Sequence, residues 1–249
     1  MMSNTLDLTG AGLTLDDAER ILSGQVEEVR LPAAVKKHIE RSRRCLESLL
    51  AGGETIYGVN TGFGKLSNQR IEADEVLALQ ENLLRSHAVG MGPLLEIAES
   101  RLALALRIQA LAKGYSGVTV ELVEQLVEMF NRGVVPAIPE QGSVGASGDL
   151  APLAHLALVV MGEGHAFVVR PGTWHQSSKT RFKPLSGLAA LKRVHLQPYR
   201  PQAKEGLSLI NGTQISTALL VEALVRARHL AVIADIAGAM TVEATKSSQ

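Results

Sequence analysis

Cysteine is almost absent from this sequence: its 249 residues contain one, Cys45, which excludes an internal disulfide framework and a cysteine-based metal site. Aromatic residues are scarce as well, at 3%. Strands favour aromatic and β-branched side chains, so a chain rich in Leu, Ala and Val, with 46% hydrophobic residues, points to helices. Neither sign of charge predominates. The 25 basic and 25 acidic residues give a formal net charge of +0, without the electrostatic footprint of a nucleic-acid or anionic-membrane binder. The longest apolar-leaning run without charge, Gly206 to Val221, carries Asn211, Thr213, Gln214, Ser216 and Thr217 and is too short and too polar to span a bilayer. The opening residues, Met1 to Asp7, lack both the basic and the apolar segment of a secretory signal. These absences predict a soluble, cytoplasmic protein with no nucleic acid and no membrane among its partners. The mean hydropathy of +0.12 is high for a chain that stands alone, and predicts apolar faces covered by a partner subunit or a further segment.

Against this background one stretch is unusual. Gly142, Gly145 and Gly148 frame an Ala146-Ser147-Gly148 triplet that runs through Asp149-Leu150-Ala151-Pro152 into an apolar helical pattern ending at Met161. Asp149 is a good N-cap type and Pro152 fits the first turn, so the triplet is predicted at a helix N-terminus, among unpaired N–H groups. A sharp bend there can press the Gly148 nitrogen against the Ala146 carbonyl carbon, since glycine folds without a Cβ clash. Ring closure and loss of water would leave a methylidene imidazolone, an electrophile. The plainer alternative is a glycine turn that caps a helix and holds an anion. A nucleotide site is a further alternative, but the P-loop lysine and a βαβ unit are both missing.

The remaining chain reads mainly as helices. Thr14-Leu15-Asp16-Asp17 resembles a capping box and opens a helix that ends near Ser23-Gly24; Val26 to Leu31 suggests a short strand. Pro32 starts an amphipathic helix that stops at Gly52-Gly53, its basic face solvated. Tyr57-Gly58-Val59-Asn60-Thr61-Gly62-Phe63-Gly64 is a loop, either anchored by its tyrosine or functional through it. A helix from Glu72 runs to Ser86-His87, where a histidine ordinarily satisfies the last carbonyls. Further helices are expected from Pro93 to Lys113 and from Val118 to Asn131, with Pro136 and Pro139 breaking the chain ahead of Gly142. Ala166 to Val169 suggests a strand and Gly172 to Lys183 a polar excursion. A last helix from about Ala203 to Thr245, apolar nearly all round, has Asn211-Gly212-Thr213-Gln214 embedded in it. Those amides need partners, from the core or from a substrate.

Taken in order, the glycine-loop tyrosine, Ser86-His87, the Gly145-Ala146-Ser147-Gly148-Asp149-Leu150-Ala151-Pro152-Leu153-Ala154-His155 stretch and the Asn-Gly-Thr-Gln segment together resemble the aromatic amino acid ammonia-lyases. The resemblance implies an all-α helical bundle of the ammonia-lyase/fumarase-like type, with a small irregular N-terminal region. Residues 1–200 would form a helical domain carrying both loops, and 201–249 would begin a long-helix central bundle. It implies a 4-methylidene-imidazol-5-one group formed autocatalytically from Ala146, Ser147 and Gly148, with Asp149 assisting and no metal or nucleotide. Tyr57 would take the substrate's β-proton, and Asn211 would lie beside the prosthetic group and the amino-acid end of the substrate. Ser86-His87 is similar to the histidine-specific members, so His87 would contact the imidazole of L-histidine, giving urocanate and ammonia. Tyrosine-specific members place histidine one residue earlier, followed by leucine.

The chemistry explains these parts. The amine of an amino acid is a poor leaving group and its β-hydrogen barely acidic, so an electrophile must capture the amine while a base removes the proton. A free tyrosine titrates at about 10, so its phenolate needs support from nearby dipoles or hydrogen bonds. Family members are homotetramers and far longer than this chain, and their second half adds another tyrosine, the carboxylate-binding arginine and a glutamate. The chain is therefore expected to be an N-terminal half, truncated within the central helices. Two alternatives stay open: a Tyr- or Phe-specific lyase, and an inactive fragment serving as an interaction module.

Overall fold

A computed structural model describes residues 4–62, 69, 71–72, 75–170, 173–174 and 182–247. Near the N-terminus a three-residue strand, β1 (Thr5–Asp7), pairs in parallel with β2 (Glu28–Arg30) around the helix α1 (Leu15–Leu22). The capping box is present: Thr14 Oγ1 accepts from the Asp17 N–H at 3.1 Å, and the Thr14 N–H donates to the Asp17 carboxylate at 3.2 Å. Pro32 stands just ahead of α2 (Ala33–Ala51), which ends at Gly52-Gly53 as its sequence suggests.

Two helices form the interior. The helix α4 (Ile97–Ala112) is buried on nearly every side and has no polar face, its polar residues after Glu99 being the buried Ser100, Arg101, Arg107 and Gln109. It packs against α1, α2, α5 (Val120–Asn131) and the long C-terminal helix. The helix α6 (Leu150–Val160), equally apolar, packs against α3 (Val76–His87), α7 (Gly187–Arg193) and α8 (Glu205–Ile210). Leu102, Leu104, Ile108, Leu153, Leu156 and Val160 meet in one core.

The fold is mostly helical, as composition predicts, but short strands position the loops. Residues 93–96 are not helical: β3 (Met91–Leu94) pairs antiparallel with β5 (Pro139–Gln141). Gly92 takes a positive φ of 83°, and the chain turns into α4 only where the Glu96 N–H donates to the Glu99 carboxylate at 2.7 Å. A second antiparallel sheet runs in the order β4 (Val134–Pro136), β6 (His165–Val168), β7 (Leu185–Ser186). The first helical turn expected at Glu72 begins instead at Val76. Most of the Gly172 to Lys183 excursion lies outside the described residues. Trp174 within it is buried in a small cluster with Ile97 and Phe167.

The C-terminal stretch departs most from expectation. It is two helices, α8 and α9 (Gln214–Thr245), with a break at residues 211–213. Only the first third of α9 is packed; Ile215, Ala218 and Val225 are buried, while residues 226–247 are exposed throughout. Leu230, Val232, Ile233, Ile236 and Met240 stand open on this segment, an apolar surface a soluble chain ordinarily covers. No helix among the described residues is long and apolar enough to cross a membrane.

Arg101 explains how a charge is tolerated inside α4. Its guanidinium lies between the rings of Phe130 and Trp174, 3.9 and 3.8 Å from their centroids, and donates to the carbonyls of Ile21 and Val26 at 3.2 and 2.5 Å. Burial pushes its pKa down to about 9. Replacing Arg101 by Met orphans two buried carbonyls and removes both ring contacts, and is expected to lower unfolding stability by about 2–4 kcal/mol in urea titrations.

Candidate functional site

The loop from Gly142 to Asp149 connects β5 to α6. Ala146 and Ser147 are exposed on it, whereas Gly148 and Asp149 are buried. Two positive φ values, +65° at Gly145 and +127° at Gly148, make the bend, and both belong to glycine. At Gly148 space is restricted as well as conformation. A Cβ there would stand 2.5 Å from the Gly212 carbonyl oxygen and 2.8 Å from the Gly212 nitrogen. The next residue is held by the same group, the Asp149 N–H donating to Gly212 O at 2.6 Å. The break between α8 and α9 is therefore pressed against the triplet.

Asp149 occupies the N-cap position of α6, as expected, but its side chain does not cap that helix. Its backbone, at φ −90° and ψ 54°, turns the carboxylate towards α9. There it accepts from the Ser216 N–H at 2.7 Å and the Ser216 hydroxyl at 2.5 Å, and from the Ser143 hydroxyl at 2.6 Å. Asp149 thus caps the first turn of α9 across the break, so the N-termini of α6 and α9 converge on one buried carboxylate.

The break itself is held by Arg107, a buried residue of α4 to which the sequence reading gave no role. Its guanidinium donates to the carbonyls of Ser208 at 2.6 Å and Asn211 at 3.0 and 3.2 Å, and to the side-chain oxygen of Gln214. Burial lowers its pKa to about 10, and the Asp149 carboxylate partly offsets that. A Cβ at Gly212 would collide with both the guanidinium and the Gln214 amide. The amides of Asn211-Gly212-Thr213-Gln214 are consequently not embedded in one helix. The α8 helix stops where Asn211 becomes extended, and Asn211 itself is exposed. A signal for Arg107 existed: it and Arg101 are the cations inside an otherwise Leu/Ala-rich helix.

His87 ends α3. Its Nδ1 lies 2.8 Å from the Leu83 carbonyl and 3.1 Å from the Ser86 hydroxyl. A carbonyl can only accept, so Nδ1 carries the proton and Nε2 of the neutral ring is an acceptor. Three residues on, the Gly90 N–H donates to His155 Nε2 on α6 at 3.0 Å. A Cβ on Gly142 would lie 3.2 Å from Gly90 Cα, so the chain leaving α3 runs alongside the triplet loop. Tyr57 sits on a separate loop after α2 and is 55% exposed. That loop is shaped by Asn60, whose side chain accepts from the Ile56 N–H and donates to the Glu54 carbonyl, both at 2.8 Å. Phe63 and Gly64 lie outside the described residues.

The chain matches a family model described as aromatic amino acid lyase over residues 13–249. It is 48% identical over 239 residues to the histidine ammonia-lyase of Anaeromyxobacter dehalogenans, covering 96% of this chain and 46% of that one. Against the histidine ammonia-lyase of Gloeobacter violaceus it is 48% identical over 249 residues, covering 100% of this chain and 46% of the relative. Among solved structures it is similar to histidine ammonia-lyase from Trypanosoma cruzi, with a TM-score of 0.87 at 36% identity over 98% of this chain and 44% of that one. It is also similar to tyrosine aminomutase from Streptomyces globisporus, with a TM-score of 0.84 at 34% identity over 96% and 43%. The chain spans about half the length of the curated relatives it matches.

His155 makes the support of this site sensitive to pH. Burial, and to a lesser degree the charge of His165, lowers its pKa below the usual 6.5, and its Nε2 can accept from Gly90 only while unprotonated. A lowered folded pKa means the unfolded chain binds the proton more readily. The His155 contribution is thus complete above about 6.5 and is lost as pH falls towards the folded value. Glu99 works in the opposite sense. Burial, then the neighbouring Glu222, raises its carboxyl well above the ordinary range, so it weakens the fold as pH rises over an overlapping interval. The His155 effect is therefore read as a difference: unfolding free energy falls more steeply between pH 7 and 5 in the wild type than in His155→Gln, measured by urea titration at each pH.

Proposed function

Because the chain belongs to the aromatic amino acid lyase family, we propose that it is the N-terminal half of a histidine ammonia-lyase, which eliminates ammonia from L-histidine to give urocanate. The observation that carries this reading is Gly148, held at a φ of +127° against the backbone of Gly212. The residues of the loop fit a 4-methylidene-imidazol-5-one made from Ala146, Ser147 and Gly148. The missing Cβ lets the Gly148 nitrogen turn towards the Ala146 carbonyl carbon, and the exposed Ser147 is free to lose its hydroxyl. In the balanced reaction, the Gly148 nitrogen bonds to that carbon and its proton passes to the Ala146 oxygen. This oxygen leaves as water with the Ser147 N–H proton, placing a C=N bond in the ring. The Ser147 hydroxyl leaves as a second water with the Cα proton, which creates the methylidene. Asp149 assists from its buried position beside the loop. Once formed, the group supplies an electrophile that no ordinary side chain offers.

The other residues prepare the substrate. Tyr57 removes a β-proton. His87 offers Nε2 as an acceptor for an imidazole N–H, which an L-histidine side chain provides and a phenyl ring does not; this favours histidine over the other aromatic amino acids. Asn211 holds the amino-acid end, its backbone fixed by Arg107. Residues 1–200 form the helical domain that carries both loops, and residues 201–249 begin the long-helix bundle of a cytoplasmic homotetramer. The exposed apolar length of α9 also favours a second reading, an interaction module without turnover.

The intact mass of the purified, folded chain distinguishes the two, since the lyase reading requires it to be lower by two waters. Incubation with L-histidine, alone and together with the C-terminal half of a relative, should release urocanate and ammonia from the pair. Ser147→Ala is expected to retain the unmodified mass and lower kcat by about 10³-fold or more. An unmodified mass in the folded wild-type chain, or full turnover by Ser147→Ala, overturns the reading.

A further inference from the structure

We infer that Arg107 is a positioning residue for maturation of the triplet: by clamping the α8–α9 break it keeps Gly212 in place as the surface that bends Gly148. The inference rests on the function proposed above. Burying a guanidinium in α4 is costly, so what it contacts indicates what it is for. The contacts of Arg107 are all in one short stretch. Ser208 O and Asn211 O lie at the end of α8, and Gln214 Oε1 lies at the start of α9. Capping α8 needs only the two carbonyls; the Gln214 contact spans Gly212 and Thr213 and ties the two helices together.

Gly212, between these anchors, presents its carbonyl to the Asp149 N–H at 2.6 Å and stands 2.5 Å from the place a Cβ would occupy on Gly148. On the far side Asp149 is fixed by Ser143 and by Ser216 of α9. The triplet is therefore bent between a held loop and a held break. The condensation joins the Gly148 nitrogen to the Ala146 carbonyl carbon and expels the Ala146 oxygen and the Ser147 hydroxyl as two waters. It requires those two atoms to come to near-attack distance, and a displacement of about 1 Å at Gly212 loosens the surface against which Gly148 is bent. A lysine at position 107 keeps the charge, but its single ammonium cannot bridge three acceptors in a fixed plane.

The test uses the chain extended by the C-terminal half of the Anaeromyxobacter dehalogenans relative. Intact mass is followed with time after synthesis, and folding is followed in parallel by circular dichroism and thermal melting. The wild type is expected to lose two waters. Arg107→Lys is expected to fold but lose them about 10²-fold more slowly, and Gln214→Ala to be slowed to a smaller degree. Arg101→Lys, a change at the other buried arginine of α4 away from the break, is expected to melt earlier yet mature at the wild-type rate. Maturation of folded Arg107→Lys at the wild-type rate overturns the inference, as does equal slowing by Arg101→Lys. Should Arg107→Lys not fold, Gln214→Ala decides by the same comparison with Arg101→Lys. A folded wild type that never loses water fails the proposed function itself, and the inference with it.

Discussion

The arrangement at the end of α8 depends on a charge buried where charges are expensive. Arg107 enters the core from α4 and meets only neutral acceptors, the carbonyls of Ser208 and Asn211 and the Gln214 amide. Bonds from a charged donor are worth about 1.5–3 kcal/mol each, which offsets much of the several kcal/mol that removing a guanidinium from water costs. The Asp149 carboxylate offsets a further part of it through its charge. The result is a helix break tied at both ends by Arg107 and to the loop opposite through Asp149.

Much of the fold was legible because local chemistry and tertiary packing agreed. Thr14, Pro32 and Gly52-Gly53 mark helix ends that the structure retains, and the apolar sequences of α4 and α6 correspond to helices buried all round. The misreadings fall where distant parts of the chain decide the local conformation. The stretch Met91–Leu94 became a strand because Pro139–Gln141 lies beside it, which no pattern within residues 91–94 encodes. The α8–α9 break depends on an arginine about a hundred residues earlier. Asp149 has the right residue type for an N-cap, yet it caps a different helix from its own.

The candidate site shows the same division. The loop around Ala146-Ser147-Gly148 was visible in the sequence because its bend needs residues without a Cβ at Gly145 and Gly148, a requirement written into residue type. The supporting groups were not visible. Ser143 and Ser216 are ordinary serines until the fold brings both onto Asp149. His155 is one histidine on an apolar helix until Gly90 donates to it. The residues proposed to undergo chemistry are distinctive because of what they are, whereas their supports become distinctive only through where they are placed.

On the proposed reading, the same buried groups bear on what this part of the chain offers an amino-acid substrate. An α-carboxylate calls for a cation with accessible donors, ideally an arginine in bidentate geometry. Arg107 holds the break that touches the triplet, yet it is 3% exposed and its donors point at carbonyls of the break. Turning it outward would release Gly212, so it cannot both hold the break and bind substrate. On the proposed reading a carboxylate-binding cation is a group other than Arg107, and the open side of the loop is the one where Ala146 and Ser147 are exposed. The uncovered apolar length of α9, residues 226–245, lies beyond the packed turns that follow the break, and an apolar surface of that length calls for cover.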